Sequence, residues 1–222
     1  MGCAGAGDRR VEAVCVVFAE LDAPSRRSPR TAIDKRPVIG PVRVETGGLT
    51  GDHVCDTKFH GGRDKAVYAY SAEEAGRWSD ELGRELPAGW FGENLRVTGA
   101  ATTDAVIGTR WRIGTTELEV TEPRVPCGTF AHWTGEPQWV KRFTGRADVG
   151  AYLRVLTPGR LQAGDPVQIV SVPEHGVTVR DVFTGADPAR LRALLAAPGD
   201  LADGAATRIR KFLNRLEEQV PS

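Results

Sequence analysis

The sequence predicts a mainly β fold with one inserted helix and a small C-terminal helical extension. Short apolar runs recur between glycine, proline and aspartate residues, a pattern typical of strands separated by turns. After Pro173 the apolar residues instead recur at the three- and four-residue steps of amphipathic helices. We therefore expect a β domain over residues 11–172 and a helical extension over residues 173–222.

Eight segments are predicted strands because each is a short apolar or β-branched run bounded by turn-forming residues. Two of the boundaries are glycine–aspartate pairs, at Gly51 and Asp52 and at Gly164 and Asp165. The predicted strands are residues 11–18, 42–45, 66–70, 94–98, 110–113, 117–121, 152–156 and 167–172.

The inserted helix follows the third predicted strand. Ser71 and Glu74 have the spacing of a capping box, and apolar residues at helical steps continue to residue 86, before Pro87. A shorter helix is expected over residues 137–143. These two helices interrupt a chain that otherwise reads as strands and turns.

The extension is expected to contain further helices. Asp187 followed by Pro188 is typical of an N-cap and a first-turn proline, and Thr207 is a candidate cap for a later helix. An extension of this size is too small to hold a large core alone, so we expect it to pack against the β domain.

Composition excludes several classes of function. The 222 residues include 29 basic and 29 acidic ones, so net charge gives no reason to expect a nucleic-acid polymer or an anionic membrane as partner. The chain has no apolar run of membrane-spanning length, and its first residues lack the apolar segment of a secretory signal. The four cysteines match no zinc or disulfide spacing, which favours reduced thiols and a cytoplasmic location.

Cys127 is the first candidate functional residue. It lies in the stretch EPRVPCGTF, residues 122–130, between Pro126 and Gly128 and three residues after Arg124. A nearby arginine stabilises a thiolate, and a thiolate is a good ligand for a soft metal or a group for sulfur chemistry. A buried thiol without function is the ordinary interpretation of a cysteine taken alone.

The stretch KFHGGRDKAVYAY, residues 58–70, is the second candidate. His60 is followed by Gly61 and Gly62, so the backbone can approach a ligand or adopt positive φ, and Arg63 and Lys65 add positive charge. Such a loop suits an oxyanion or phosphate. A polar hairpin loop with a structural histidine also explains the pattern.

Two further stretches are weaker candidates. In FGENL, residues 91–95, Glu93 and Asn94 either hydrogen-bond the edge of a heterocycle or fix a turn. In TAIDKRPVIGPV, residues 31–42, Lys35 and Arg36 either bind an anion or are solvated surface cations.

Taken together and in order, these stretches resemble the MOSC-domain family, in the branch that includes the 6-N-hydroxylaminopurine-resistance proteins. The resemblance covers residues 11–172, and the tail from Val177 resembles the three-helix extension of that branch. The matching motifs are TAIDKRPV (31–38), GLTGD (48–52), HGGRDKAVYAY (60–70), FGENL (91–95), EVTEPRVPC (119–127) and GAYLRVLTPGRLQAGDPVQIV (150–170).

The resemblance implies a MOSC-type β-barrel that binds the molybdenum cofactor, a molybdopterin. By this implication Cys127 is both the catalytic residue and the thiolate ligand to molybdenum, and Lys35 holds the cofactor's phosphate. The other pocket residues implied are His60, Gly61, Gly62, Asn94 and Arg124. Pyridoxal phosphate is not expected.

The implied activity is reduction of N-hydroxylated bases or related small N–OH compounds to amines. The sequence has no motif for flavin, haem or an iron–sulfur cluster, so the electrons are expected from a separate redox protein. Three alternatives stay open: a sulfur carrier with a persulfide on Cys127, a non-catalytic carrier of the molybdenum cofactor, and an interaction domain without ligand.

Overall fold

The computed structural model describes residues 9–25, 28–57, 61–197 and 199–218. Within these ranges the chain forms a large mixed sheet, a smaller sheet and several helices, so it is mostly β as the sequence predicts.

The strands in chain order are β1 (Arg10–Asp22), β2 (Arg30–Pro37), β3 (Val42–Glu45), β4 (Gly48–Leu49), β5 (Val67–Ser71), β6 (Leu95–Thr98), β7 (Arg110–Ile113), β8 (Thr116–Pro123), β9 (Ala151–Thr157), β10 (Gly159–Leu161) and β11 (Gln168–Ser171). The helices are α1 (Ala72–Leu82), α2 (Gly128–Thr134), α3 (Trp139–Arg146), α4 (Val179–Thr184), α5 (Pro188–Ala196) and α6 (Asp203–Glu218), with one 3₁₀ turn at Arg63–Lys65.

Eight strands form the large sheet in the order β11-β7-β8-β9-β5-β6-β1-β2. The pair β5–β6 is parallel and the other pairs are antiparallel, which makes the sheet mixed. The strands β10, β3 and β4 form a separate antiparallel sheet.

The start of β1 also contacts the segment that precedes β11. Arg10 forms an isolated bridge with Pro166, and the Val11 amide donates to the Asp165 carbonyl over 2.9 Å. The Gly164 amide also donates to the Val11 carbonyl and the Val167 amide to the Arg9 carbonyl, each over 2.8 Å, but these bonds form an isolated bridge rather than a paired strand. No closed barrel is found among the described strands, so the predicted barrel is not confirmed.

Strand β2 is an element that the sequence analysis did not predict. It pairs antiparallel with β1, with Val17 opposite Lys35, and Lys35 is buried. Because the segment has few apolar residues and several cations, its sequence does not show the alternation typical of a strand and suggests a solvated loop instead. The pairing with β1 carries Lys35 into the interior.

Helix α1 begins where the sequence predicts and ends earlier. Ser71 accepts hydrogen bonds from the amides of Glu73 and Glu74. The helix ends at Leu82 because Gly83 adopts the left-handed conformation, with φ of 64°. The prediction that the helix continues to residue 86 is therefore wrong.

Helix α2 was not predicted, and α3 covers 139–146 rather than 137–143. Helix α2 has only seven residues and starts at Gly128, too short for its periodicity to be read from the sequence. It is held by the burial of Phe130 and ends at Gly135, where φ is 66°. Cys127, expected in a turn, is the N-cap of this helix.

Three helices follow the β strands in the C-terminal region. Helix α5 starts after an N-cap at Asp187, whose carboxylate accepts from the amides of Ala189 and Arg190, as the sequence predicts. Helix α6 begins at Asp203 rather than at Thr207. Apolar residues of all three helices join the core cluster of the strands, and the division into two domains stays a prediction.

An aromatic cluster packs α1, α2 and α3 together. The rings of Phe130 and Phe143 lie 5.2 Å apart, and those of Trp78 and Trp139 lie 4.5 Å apart. Each buried ring of this size contributes on the order of 2–3 kcal/mol. This packing fixes α2 and, with it, the position of Cys127.

Candidate functional site

A cavity of about 220 Å³ opens beside strand β2, the segment 47–57, the loop at Gly61–Gly62 and the start of α2. Its lining includes all the predicted site residues that the structure describes, namely Lys35, Gly61, Gly62, Asn94, Arg124 and Cys127. His60 lies outside the described residues. The fold therefore brings four separate sequence motifs to one cavity.

Arg124 is a buried cation in the wall of this cavity, with 6% of its surface exposed. Its guanidinium carbon lies 3.9 Å from the centre of the Phe130 ring and 5.7 Å from that of Tyr68. Its one hydrogen bond to an oxygen of the described residues is a long contact of 3.5 Å to the Val125 carbonyl. Within the described ranges no carboxylate lies within ion-pair distance of Arg124.

This arrangement favours binding of an anion. A buried charge without a counter-charge is costly, and ring contacts offset only part of the cost. An anion in the cavity would supply the missing counter-charge.

Cys127 reaches the cavity from the N-cap of α2, where its backbone is extended with φ of −132°. Its side chain is half-buried and shares the cavity wall with Thr129 and Tyr152. Burial raises the pKa of Tyr152, Arg124 opposes the rise, and Cys127 adds to it. Tyr152 thus lies within electrostatic range of both the Arg124 guanidinium and the Cys127 thiol.

The other described thiols have different surroundings. Cys15 is fully buried in β1, and burial, with the nearby Glu93 charge, raises its pKa to about 12. It stays protonated at neutral pH. Cys55 lines the same cavity as Cys127, and burial raises its pKa, with a further contribution from Glu20.

Lys35 is held by a carboxylate that the sequence analysis had assigned only to a turn. Its ammonium nitrogen lies 2.6 Å from Oδ2 of Asp52, and both side chains are more than nine-tenths buried. Oδ1 of Asp52 accepts from the Val17 amide over 3.1 Å. The Lys35 charge is therefore balanced within the protein, and its phosphate-binding role stays a prediction.

Asn94 fixes the wall of the cavity through its own hydrogen bonds. Its oxygen accepts from the Tyr68 amide over 3.0 Å, and its amide group donates to Asp52 over 2.8 Å and to the Cys15 carbonyl over 3.3 Å. These bonds join β5, β1 and the 50–52 turn. Glu93, its neighbour in the motif, faces the core and hydrogen-bonds the turn at Gly89, so the turn interpretation of FGENL holds for Glu93.

The glycine pair has the backbone geometry that the sequence suggests. Gly62 adopts φ of 100°, a region that favours glycine, while a Cβ on Gly61 would lie 3.2 Å from a methyl carbon of Val54. Gly61 thus packs tightly against the loop wall. A role for either glycine in binding stays a prediction.

The 3₁₀ turn after the glycines is anchored by ion pairs. Asp64 lies 3.2 Å from Arg154 in β9, and the ammonium nitrogen of Lys65 lies 3.9 Å from Glu122 in β8. Lys65 also lines the cavity. Burial raises the pKa of Glu122 to about 7, and Lys65 counteracts part of that rise.

Residues 56–168 match the MOSC domain family. The protein YflK of Bacillus subtilis, described as uncharacterized, is 35% identical over 150 residues, which is 68% of each chain. The chain belongs to the MOSC domain family.

Further relatives place the chain within the family. Protein YiiM of Escherichia coli is 30% identical over 144 residues, which is 64% of each chain. The crystal structure of YiiM from Geobacillus stearothermophilus matches with a TM-score of 0.75 and 25% sequence identity. The match covers 92% of this chain and 99% of that one. They confirm the 6-N-hydroxylaminopurine-resistance-like branch that the motifs predict.

A fungal protein from Gibberella moniliformis named "Reductase" is 34% identical over 149 residues, 64% of this chain but only 26% of its own length. The MOSC family is linked to molybdenum-cofactor binding and to reductase-type activity.

Among the described helices none is long and apolar enough to cross a membrane.

Proposed function

We propose that this chain is a molybdenum-cofactor-dependent reductase of N-hydroxylated bases or related N–OH compounds, with Cys127 as the thiolate ligand to molybdenum. One observation carries the proposal: buried Arg124, without a carboxylate partner in the described part of the chain, shares a cavity with Cys127. Membership of a family linked to this cofactor and the fungal relative named a reductase support it.

The residues of the cavity fit this cofactor by their chemistry. A thiolate is a soft ligand suited to molybdenum, and a guanidinium suits the phosphate of the pterin. Cys127 would therefore hold the metal, and Arg124 would hold the anionic end, with Lys65 adding positive charge to the same wall. Gly61 and Gly62, with His60 beside them, would present the loop backbone to the cofactor.

The reaction requires two electrons and two protons: R–NHOH + 2e⁻ + 2H⁺ gives R–NH₂ + H₂O, with cleavage of the N–O bond. When bound, the cofactor supplies the two-electron redox change that no side chain provides. The electrons come in turn from a separate redox protein.

The protein's own part is to bind and to orient. Arg124 offers N–H donors inside a wall of Tyr68 and Phe130 rings, where the low polarity strengthens its attraction for an anion. The Asp52 hydrogen bonds to Lys35 and Asn94 keep that side of the cavity rigid. Rigid placement of charge before the ligand arrives is what gives such a site its affinity.

The direct test is the molybdenum content of Cys127→Ser beside the wild type, both made in a host that synthesises the cofactor. Cys55→Ser is the matched control, because Cys55 lines the same cavity and is not the proposed ligand. We expect stoichiometric molybdenum in the wild type and in Cys55→Ser, and little in Cys127→Ser. The loaded wild type should reduce an N-hydroxylated purine when given a chemical electron donor.

Other outcomes would replace the proposal. Negligible molybdenum in all three proteins rejects the cofactor, and a mass increase of one sulfur atom on Cys127 would then indicate a sulfur carrier. Bound molybdenum without turnover of any N-hydroxylated compound would indicate a non-catalytic carrier of the cofactor.

A further inference from the structure

A second group of metal-ligating side chains lies where the cavity wall meets the surface. Glu20 extends from the outer part of β1, while His53 and Cys55 belong to the segment after β4. One ligand atom from each of the three lies within 4.8 Å of the others, and Nε2 of His53 is 2.8 Å from Oε1 of Glu20. The proposed function uses none of these side chains.

The three donors are of the types that bind zinc. Carboxylate oxygen, imidazole nitrogen and thiolate sulfur each coordinate Zn²⁺ at about 2.0–2.3 Å. Tetrahedral geometry at those lengths places neighbouring donors about 3.5 Å apart, so about 1 Å of side-chain movement closes the present cluster around an ion. A surface Glu–His ion pair alone would not account for the thiol beside it.

One donor is already held in place by its surroundings. Nε of Arg30 lies 3.5 Å from Oε2 of Glu20, and Nη2 of Arg30 donates to the Glu20 carbonyl over 2.8 Å. The guanidinium therefore occupies one carboxylate oxygen and leaves Oε1 directed at His53. Partners of this kind, which orient a ligand from behind, are characteristic of metal sites.

An ion bound by this cluster would affect the cavity, because two of the three side chains line it. His53 and Cys55 line the cavity, and they follow Asp52, which binds Lys35 and Asn94. The segment 52–57 is thus fixed at one end by Asp52, and an ion held against Glu20 would fix it to β1 at a second point. Three protein ligands leave a fourth position for water or a ligand.

We propose that Glu20, His53 and Cys55 bind one divalent cation of the Zn²⁺ type, and that this ion ties the 52–57 segment to β1 at the rim of the cavity. Cys127 is not one of the three ligands, and the site does not depend on the molybdenum cofactor.

Cobalt is the probe for this site, because Co²⁺ takes zinc positions and its absorption reports thiolate ligation and tetrahedral geometry. The titration uses the full-length, tag-free, reduced chain from a host that makes no molybdenum cofactor. We expect one Co²⁺ per chain with a thiolate-to-cobalt charge-transfer band, displaced by one Zn²⁺. Its result is independent of the proposed reductase, because the cofactor is absent.

Matched variants assign the ligands. Cys55→Ser should abolish the charge-transfer band, and His53→Ala should weaken binding by about 100-fold or more, since even the loss of an orienting partner costs roughly 10–100-fold. Cys127→Ser and His132→Ala, a change at an exposed histidine on α2, should leave the titration unchanged. Circular dichroism verifies that each variant is folded.

Two results would overturn the inference. A band that survives Cys55→Ser and disappears in Cys127→Ser would move the ion to the cavity thiol. Failure of the wild type to bind Co²⁺ or Zn²⁺ below millimolar concentrations would show that the three side chains form no metal site.

Discussion

Two buried arginines of this protein are neutralised in different ways. Arg96 in β6 is 3% exposed and donates to Glu93 from Nε over 2.9 Å and from Nη2, with a further bond of 3.2 Å to the Pro87 carbonyl. Arg124 after β8 is 6% exposed and has aromatic rings and one long carbonyl contact around it.

The surroundings of Glu93 extend the contrast. Besides Arg96, its carboxylate accepts from the amides of Gly89 and Phe91 over 2.8 and 2.9 Å. On the core side, therefore, the chain itself satisfies a buried cation. On the cavity side no described carboxylate neutralises Arg124. A buried cation of this kind is typical of a binding site rather than of a structural ion pair.

The largest effect expected from this contrast is on stability at the core side. Arg96→Met should lower the free energy of unfolding by about 3–5 kcal/mol, because it leaves the Glu93 carboxylate buried without its cation. Urea unfolding of the cofactor-free protein measures the change. A loss below about 1 kcal/mol would mean that the Arg96–Glu93 pair does not stabilise the fold.

A third buried ionisable group, the carboxyl of Glu74, is neutralised by protonation. Glu74 in α1 is 4% exposed, accepts hydrogen bonds from Thr102 and Thr103, and has no salt-bridge partner in the described part of the chain. Burial raises its pKa to about 7, and Asp148 adds to the rise. Folding therefore favours the protonated acid.

The sign of the pH dependence follows. Below the ordinary carboxyl pKa of 4.5 the acid is protonated in both states, and as the pH rises to about 7 the folded protein alone keeps its proton. Stability should fall over this range by up to about 3 kcal/mol from Glu74, and Glu122, whose pKa is raised in the same direction, adds to the slope.

Urea unfolding at a series of pH values between 4.5 and 8 tests this. Glu74→Gln should remove about half of the slope, and Glu74→Gln combined with Glu122→Gln should flatten it. A wild type that gains stability with pH over this range would contradict the assignment.

Arg124→Met should affect binding far more than stability. It removes a buried charge that has no carboxylate partner among the described residues, so the unfolding free energy of the cofactor-free protein should change by less than about 1 kcal/mol. The loss of charge-assisted hydrogen bonds should weaken cofactor retention by roughly 10–100-fold. Molybdenum content after serial dialysis measures retention, with Arg112→Met, a change at an exposed strand residue, as the control.

An outcome in which Arg124→Met unfolds as readily as Arg96→Met would remove the distinction between the two arginines. It would show that Arg124 stabilises the fold through its ring contacts, and the argument for an anion in the cavity would then fail.

Much of the architecture is accessible from the sequence because local chemistry determines it. The Ser71 cap, the Asp187 cap with Pro188, and strands β3 and β7 follow from side-chain pattern alone. The motifs also indicated Arg124 and Cys127 before their common cavity was visible. The motifs could not show which of the buried charges has a partner within the protein.

The missed features depend on contacts between distant segments. Asp52 looks like an ordinary turn aspartate, and only the approach of β2 and β6 makes it the partner of both Lys35 and Asn94. Helix α2 is too short to show a period, and it forms because Phe130 packs into an aromatic cluster from other helices. Neither contact leaves a signal in the adjacent sequence.

The smallest expected effect is on stability, and it differs in sign between a glycine in the cavity loop and a glycine in helix α1. Gly62→Ala should cost about 1–2 kcal/mol, because φ of 100° disfavours any Cβ even though no atom of the described residues lies within 4 Å of its position. Gly76→Ala, in α1 with equal space and ordinary helical backbone, should instead stabilise by up to about 1 kcal/mol. Urea unfolding of the two variants should therefore shift in opposite directions, and a stabilising Gly62→Ala would show that the loop before the 3₁₀ turn does not hold this backbone conformation.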